Sequence, residues 1–155
     1  MVDWTLPMEG GCRCGTVRFR ISAPPMFTAL CHCTGCQKMT GGAYSTSVAV
    51  PRGGFALTEG ETVIGGLHGE RLHHQHCDNC KSWIYTDFEP DMGFVNVRAT
   101  MLDDPSWVTP FIQNYTSEAL PWALVDSPHS YEKFPSMEEY QPLLAEFARL
   151  QSAMT

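Results

Sequence analysis

The sequence predicts a mainly β fold, with several small twisted antiparallel sheets and a C-terminal helix. Three observations carry that expectation. Short apolar stretches alternate with polar residues and are divided by turns rich in glycine and proline. The seven cysteines fall into three tight clusters with none left over, so the strands must bring those clusters together. Beyond residue 135 the pattern changes to a helical apolar stripe.

Residues 1–10 read as a leader arm ending at Gly10-Gly11, just before Cys12 and Cys14. From Thr16 to Ile21 the alternation is clean: Val17, Phe19 and Ile21 take one face, and Thr16, Arg18 and Arg20 the other. Ala23-Pro24-Pro25 stops this strand, and Met26 to Leu30 forms a second that leads into Cys31, Cys33 and Cys36. Thr34 to Met39 fits one helical turn, stopped by Gly41-Gly42. Tyr44 to Val50 is the next strand, ended by Pro51-Arg52-Gly53-Gly54, and Phe55 to Thr58 the one after. Arg71 to His76 delivers Cys77 and Cys80, and Ser82 to Thr86 leaves them. Phe94 to Val97 and Phe111 to Tyr115 complete the strands. In the tail, Ser136 and Glu139 have the spacing of a capping box. Leu143, Leu144, Phe147 and Leu150 then make the apolar stripe, and Pro142 inside it predicts a kink or two pieces. This stripe packs on the sheet or on a partner subunit, which leaves a homo-oligomer open.

At 155 residues a single domain spanning 1–155 is expected, with a core from about 8 to 125 and a helical tail over 136–152. A net charge of −7 with no basic patch argues against a general nucleic-acid binder. No run of about 18 apolar residues is present, so no membrane span is expected. The first residues lack the basic and apolar regions of a secretory signal. Unpaired thiols then fit a reducing, cytoplasmic setting.

The cysteines carry the chemistry. Two thiols one or two residues apart can reach one ion, but they cannot close its shell. Cys12 and Cys14 with Cys77 and Cys80 would make a closed four-thiol zinc site. That leaves Cys31, Cys33 and Cys36 as three ligands with one open position, the arrangement of a catalytic zinc. Two zinc ions per chain follow, the second more labile. Spacing alone leaves another division open, in which the triplet lends thiols to either pair. A disulfide framework fits poorly, because the count is odd and neighbouring C-x-C thiols pair badly.

The segments Gly11-Cys12-Arg13-Cys14-Gly15-Thr16-Val17-Arg18-Phe19, Cys31-His32-Cys33-Thr34-Gly35-Cys36 with Gly41-Gly42, and Cys77-Asp78-Asn79-Cys80 stand in this order. Together they resemble the glutathione-dependent formaldehyde-activating enzymes, a family that includes the centromere protein V type of domain. The resemblance runs from about Met8 to Trp122. It implies a mostly β zinc fold, a structural zinc on Cys12, Cys14, Cys77 and Cys80, and a reactive one on Cys31, Cys33 and Cys36. It also implies a carbon–sulfur lyase that makes or cleaves S-hydroxymethylglutathione or a related thiol–aldehyde adduct. The partners would then be small molecules, a thiol such as glutathione and an aldehyde. The chain departs from the family pattern at His76, where an aromatic residue is usual, and at Lys81, where glycine is usual.

A different class of function is a non-catalytic zinc-stabilised module that binds glutathione or a protein partner. The triplet separates the two, since a purely structural site needs no open position. His32, His73, His74 and His76 lie near the thiols in sequence, but the cysteines already satisfy the ligand count. His32, in the middle of a C-x-C, should point away from the metal. Lys38 and Arg71 are candidate cations for a carboxylate ligand by sequence proximity to the clusters alone, and Lys38 also reads as a plain surface charge. Trp107 and Trp122 are expected in the core or an interface, and Asp103-Asp104-Pro105 in a turn.

Overall fold

The structure, a computed structural model, describes residues 4–67 and 69–152. The first three residues of the expected leader, His68 and residues 153–155 lie outside the described residues. In chain order the first strands are β1 (Met8–Gly11), β2 (Arg18–Ile21) and β3 (Phe27–Cys31), followed by helix α1 (Thr34–Thr40). Then come β4 (Ser45–Pro51), β5 (Phe55–Glu59), β6 (Thr62–Gly65), β7 (Leu72–Cys77), β8 (Trp83–Phe88) and β9 (Phe94–Arg98). The short strands β10 (Ile112–Asn114) and β11 (His129–Ser130) precede helix α2 (Met137–Ser152).

The mainly β class with its C-terminal helix is what forms. The strands gather into two sheets rather than several small ones: β1-β2-β5, and an eight-stranded sheet in the order β11-β10-β3-β4-β9-β8-β7-β6. Most pairings are antiparallel, but β10 runs parallel to both β3 and β11. Local alternation cannot reveal such a pairing, because parallel neighbours are joined through long crossovers.

The small sheet packs on one face of the large one. Val17, Phe19 and Ile21 are fully buried there against Val48, Val50, Ile84, Val95 and Val97. The stretch read as a leader arm ends in a strand, because β1 pairs with β2 along its whole length. Its glycines are there for clearance rather than for a turn. A Cβ on Gly10 would stand 2.3 Å from Phe19 Cζ and 2.4 Å from the Met101 carbonyl oxygen.

The opposite face of the large sheet is covered at one end by α2. Leu143 and Phe147 bury themselves on Ala29, Phe111 and Ile112. The Glu139 carboxylate accepts from the Ser136 backbone N–H at 2.7 Å, so the capping box is made on the glutamate side. Pro142 does not divide the segment, which runs as one helix from Met137 to Ser152.

Candidate functional site

Cys12 and Cys14 sit in the turn between β1 and β2, Cys77 ends β7, and Cys80 sits in the turn to β8. The four sulfurs lie within 4.8 Å of one another. Cys14 Sγ is 3.6 Å from Cys12 Sγ and 3.7 Å from Cys77 Sγ. Four sulfurs at about 2.3 Å from a tetrahedral zinc stand about 3.8 Å apart, so the donor set fits that ion. Backbone amides of Val17 and Cys80 donate to the Cys12 and Cys77 sulfurs, at 3.3 and 3.5 Å. Hydrogen bonding with Thr16, then Asn79, draws Cys14 down to about 5. Ser82, through its hydroxyl, lowers Cys80 to about 7. Against the hydrogen bond from the Cys80 backbone, burial and the neighbouring Cys12 and Cys80 push Cys77 up to about 11, so two of the four thiols are drawn toward the anionic form that a metal needs.

The knuckle after Cys77 closes by Lys81 N–H to the Cys77 carbonyl at 2.9 Å and Cys77 N–H to the Ser82 carbonyl at 3.0 Å. Lys81 adopts φ +61°, the left-handed conformation that glycine takes without strain. The usual turn is therefore kept despite the departure at this position. His76, at the position where the family usually has an aromatic residue, stacks its ring on Trp83 with 6.4 Å between centroids.

Cys31, Cys33 and Cys36 also converge to within 4.8 Å, where β3 gives way to α1. Cys33 is the N-cap of α1, its sulfur accepting from the Cys36 N–H at 3.3 Å. Gly41 ends the helix at φ +65°, as the glycine pair predicted. The Ser45 hydroxyl donates to Cys36 Sγ at 3.1 Å. Hydrogen bonding from Cys31, with help from Ser45, Cys33 and the charge of Arg98, pulls Cys36 down to about 6. The same bond, with burial, pushes Cys31 upward. All three thiols are partly exposed, and none is in a disulfide. Three convergent sulfurs fit a metal with one position left open, whereas the first cluster is closed.

Both sequence clusters thus assemble as ligand counting expected, and the triplet lends nothing to the pairs. The histidines stand apart from them. His32 is fully buried and its Nε2 meets Gln113 Oε1 at 2.7 Å. Gln113 Oε1 is an acceptor, so the proton belongs on Nε2. His74 and His76 share the face that holds Trp83, while His73 turns to Asp87. Lys38 is exposed on α1. Arg71 is displaced from the triplet: β7 runs in the same direction as β3 through four antiparallel pairings, so the chain before β7 lies at the edge where β3 begins. Trp107 is buried in the core, but Trp122 is 77% exposed and belongs to no core. Asp104 makes the expected turn with Ser106, and Asp103 pairs with Arg18.

Four residues around the triplet are absent from the sequence reading: Ser45, Arg98, Asn114 and Glu118. Asn114 and Ser45 are the cross-strand neighbours of Cys31. Glu118 accepts from both the backbone N–H and the hydroxyl of Thr34, each at 3.0 Å, and so caps α1. Gln37 Nε2 ties the same helix to the His32 and Glu118 carbonyls. Arg98, Asn114 and Glu118 come from distant parts of the chain and Ser45 from the next strand, and no local motif marks any of them.

Fold and site together define a mainly β protein with two cysteine clusters, one of four sulfurs and one of three, each of which could hold a metal ion. The family model for glutathione-dependent formaldehyde-activating enzymes matches residues 7–118, and the chain belongs to that family. A Halomonas elongata protein, described provisionally as a glutathione-dependent formaldehyde-activating enzyme, is 30% identical over 95 residues. That match covers 55% of this chain and 60% of the relative. A crystal structure of a Rhodobacter sphaeroides protein superposes with a TM-score of 0.54 at 13% identity, over 80% of this chain and 99% of the other. That likeness bears on the fold alone. Among the described residues no helix is long and apolar enough to cross a membrane.

Proposed function

We propose that the protein is a zinc-dependent carbon–sulfur lyase that forms or cleaves the adduct of glutathione with formaldehyde or a related small aldehyde. The observation that supports this most is the second cluster: three convergent, partly exposed thiols where a structural site would need four. In this reading residues 1–155 act as one domain, and Cys12, Cys14, Cys77 and Cys80 hold the fold. Cys31, Cys33 and Cys36 are the reactive set. Cys31, Cys33 and Cys36 would hold a zinc ion there, which would supply a Lewis-acidic position for a thiol sulfur or a carbonyl oxygen.

The remaining work falls to the chain. Three thiolates donate charge, which favours holding a thiol over activating a carbonyl. Ser45 orients Cys36 through its hydroxyl, and Glu118 and Gln37 fix α1, and with it Cys33 and Cys36. Addition joins the glutathione sulfur to the aldehyde carbon while the carbonyl becomes a hydroxyl, the thiol proton passing to its oxygen. Cleavage is the reverse. Formaldehyde is reactive enough for positioning to carry much of the rate. Seven free thiols are compatible with a reducing, cytoplasmic location.

The test is kinetic. Zinc-loaded protein should speed the loss of free formaldehyde in a glutathione mixture, and Cys33→Ser should abolish the acceleration. A rate no faster than the spontaneous reaction refutes the activity for this pair. It leaves the non-catalytic module as the reading to pursue.

A further inference from the structure

Arg98 ends β9 and is 8% exposed. Strand register puts it on the sheet face that carries the triplet. It pairs with Ser47, two residues from Ser45, and Ser45 and Asn114 flank Cys31. Its guanidinium lies over the Trp83 ring, 4.1 Å from the centroid. Nη2 donates to the Asn96 carbonyl at 3.3 Å, and Nε has no hydrogen-bond partner among the described residues. No carboxylate pairs with it among the described residues. The charges that reach it are those of Cys36 and Cys31.

An arginine cannot shed its proton in a protein. Buried without a carboxylate, it carries a large desolvation cost unless another anion answers it. The thiol triplet is the anion on offer. Three thiolates around one divalent cation leave a single net negative charge. One guanidinium cancels it. Among the described residues the cations next in sequence to the four-thiol cluster, Arg13 and Lys81, are exposed.

We propose that Arg98 is the positioning residue that sets the charge of the three-thiol site, so that the site retains its metal and accepts an anionic sulfur ligand in preference to a neutral one. This rests on the reading of the triplet as a metal site open to a thiol. With Arg98 in place, a bound thiolate adds its charge to a neutral centre. Without it, the thiolate must approach a centre already negative.

The test uses zinc-loaded full-length protein, wild type against Arg98→Met, Arg98→Gln and Arg98→Lys. The first readout is chelator competition, with metal counted per chain. The neutral variants should release the triplet zinc at chelator concentrations on the order of tenfold lower, since close charge pairs are worth at least that much. They should release the four-thiol zinc as wild type does. The second readout is calorimetric titration with glutathione and with S-methylglutathione, whose sulfur cannot ionise. The preference for glutathione should shrink on the order of tenfold in the neutral variants and stay in Arg98→Lys. Two neutral substitutions guard against one that fails to fold. If Arg98→Lys behaves like the neutral variants, or these match wild type in both readouts, the proposal is overturned. A wild-type protein that holds both metals but ignores glutathione refutes the proposed substrate. The chelator arm then still decides the role of Arg98.

Discussion

Replacing Lys81 by glycine should stabilise the protein, although it removes a side chain and an ion pair. Lys81 holds φ +61°. A left-handed conformation costs an ordinary L residue roughly 1–2 kcal/mol. Glycine takes it without strain, but gives up roughly 0.5–1 kcal/mol of conformational entropy on folding. The difference favours Lys81→Gly by about 0.5–1 kcal/mol. The contact between Lys81 Nζ and Asp78 Oδ1 at 2.7 Å joins two well-exposed groups, so its loss matters little. Lys81→Ala is the comparator: it loses the same contact and keeps the strain. Glycine should therefore exceed alanine by about 1 kcal/mol, or about 2–4 °C in Tm for a chain of this size. Thermal unfolding of zinc-saturated variants at one fixed zinc concentration measures this, because metal binding shifts apparent stability. An alanine variant as stable as the glycine one would mean that position 81 is not left-handed in the folded protein, and the described knuckle would fall.

Cys77→Ala should lose the four-thiol metal and much of the folding stability with it, whereas Cys33→Ala should keep the fold and lose only the second metal; elemental analysis and melting together check this, and equal melting losses would contradict the assigned roles. Gly10→Ala should cost about 3 kcal/mol in urea unfolding, because the new methyl meets the Phe19 ring and an unyielding carbonyl of Met101. Glu118→Ala should cost about 1 kcal/mol by uncapping α1. It should also weaken zinc retention by the triplet while sparing the other cluster, and a chelator titration that showed both metals unaffected would remove Glu118 from the site.

What could be read in advance was what the chain encodes locally. The alternation at Val17, Phe19 and Ile21 specified a buried strand face, and the spacing of Ser136 and Glu139 specified a helix start. The cysteine spacings carried both clusters, because ligand geometry restricts which thiols can share an ion. What escaped was set by contacts between distant segments. Gly10 and Gly11 read as the end of a leader arm until Phe19 is seen lying against Gly10. Arg98 looks like the end of an ordinary strand until β9 is seen beside β4, with Ser47 as its partner. Glu118 lies 84 residues from the Thr34 amide it caps. The strand expected over Phe111 to Tyr115 does form as β10, but its parallel pairing with β3 and β11 leaves no local trace.

The first cluster also ties together stretches of chain that are far apart: Cys14 and Cys77 are separated by 63 residues. A cross-link closing a loop of that length restricts the unfolded chain by about 4 kcal/mol in the entropic account. A metal can do this where a reducing medium would break a disulfide. Leu67, 97% exposed, lies inside that loop. A protease that cuts there severs the backbone but not the molecule, because the sulfur cluster and the paired strands β6 and β7 straddle the cut. The two fragments would migrate as one under native conditions, since β4–β9 and β3–β10 pair across the cut as well. Covalent continuity of the chain and integrity of the fold are in this sense separable.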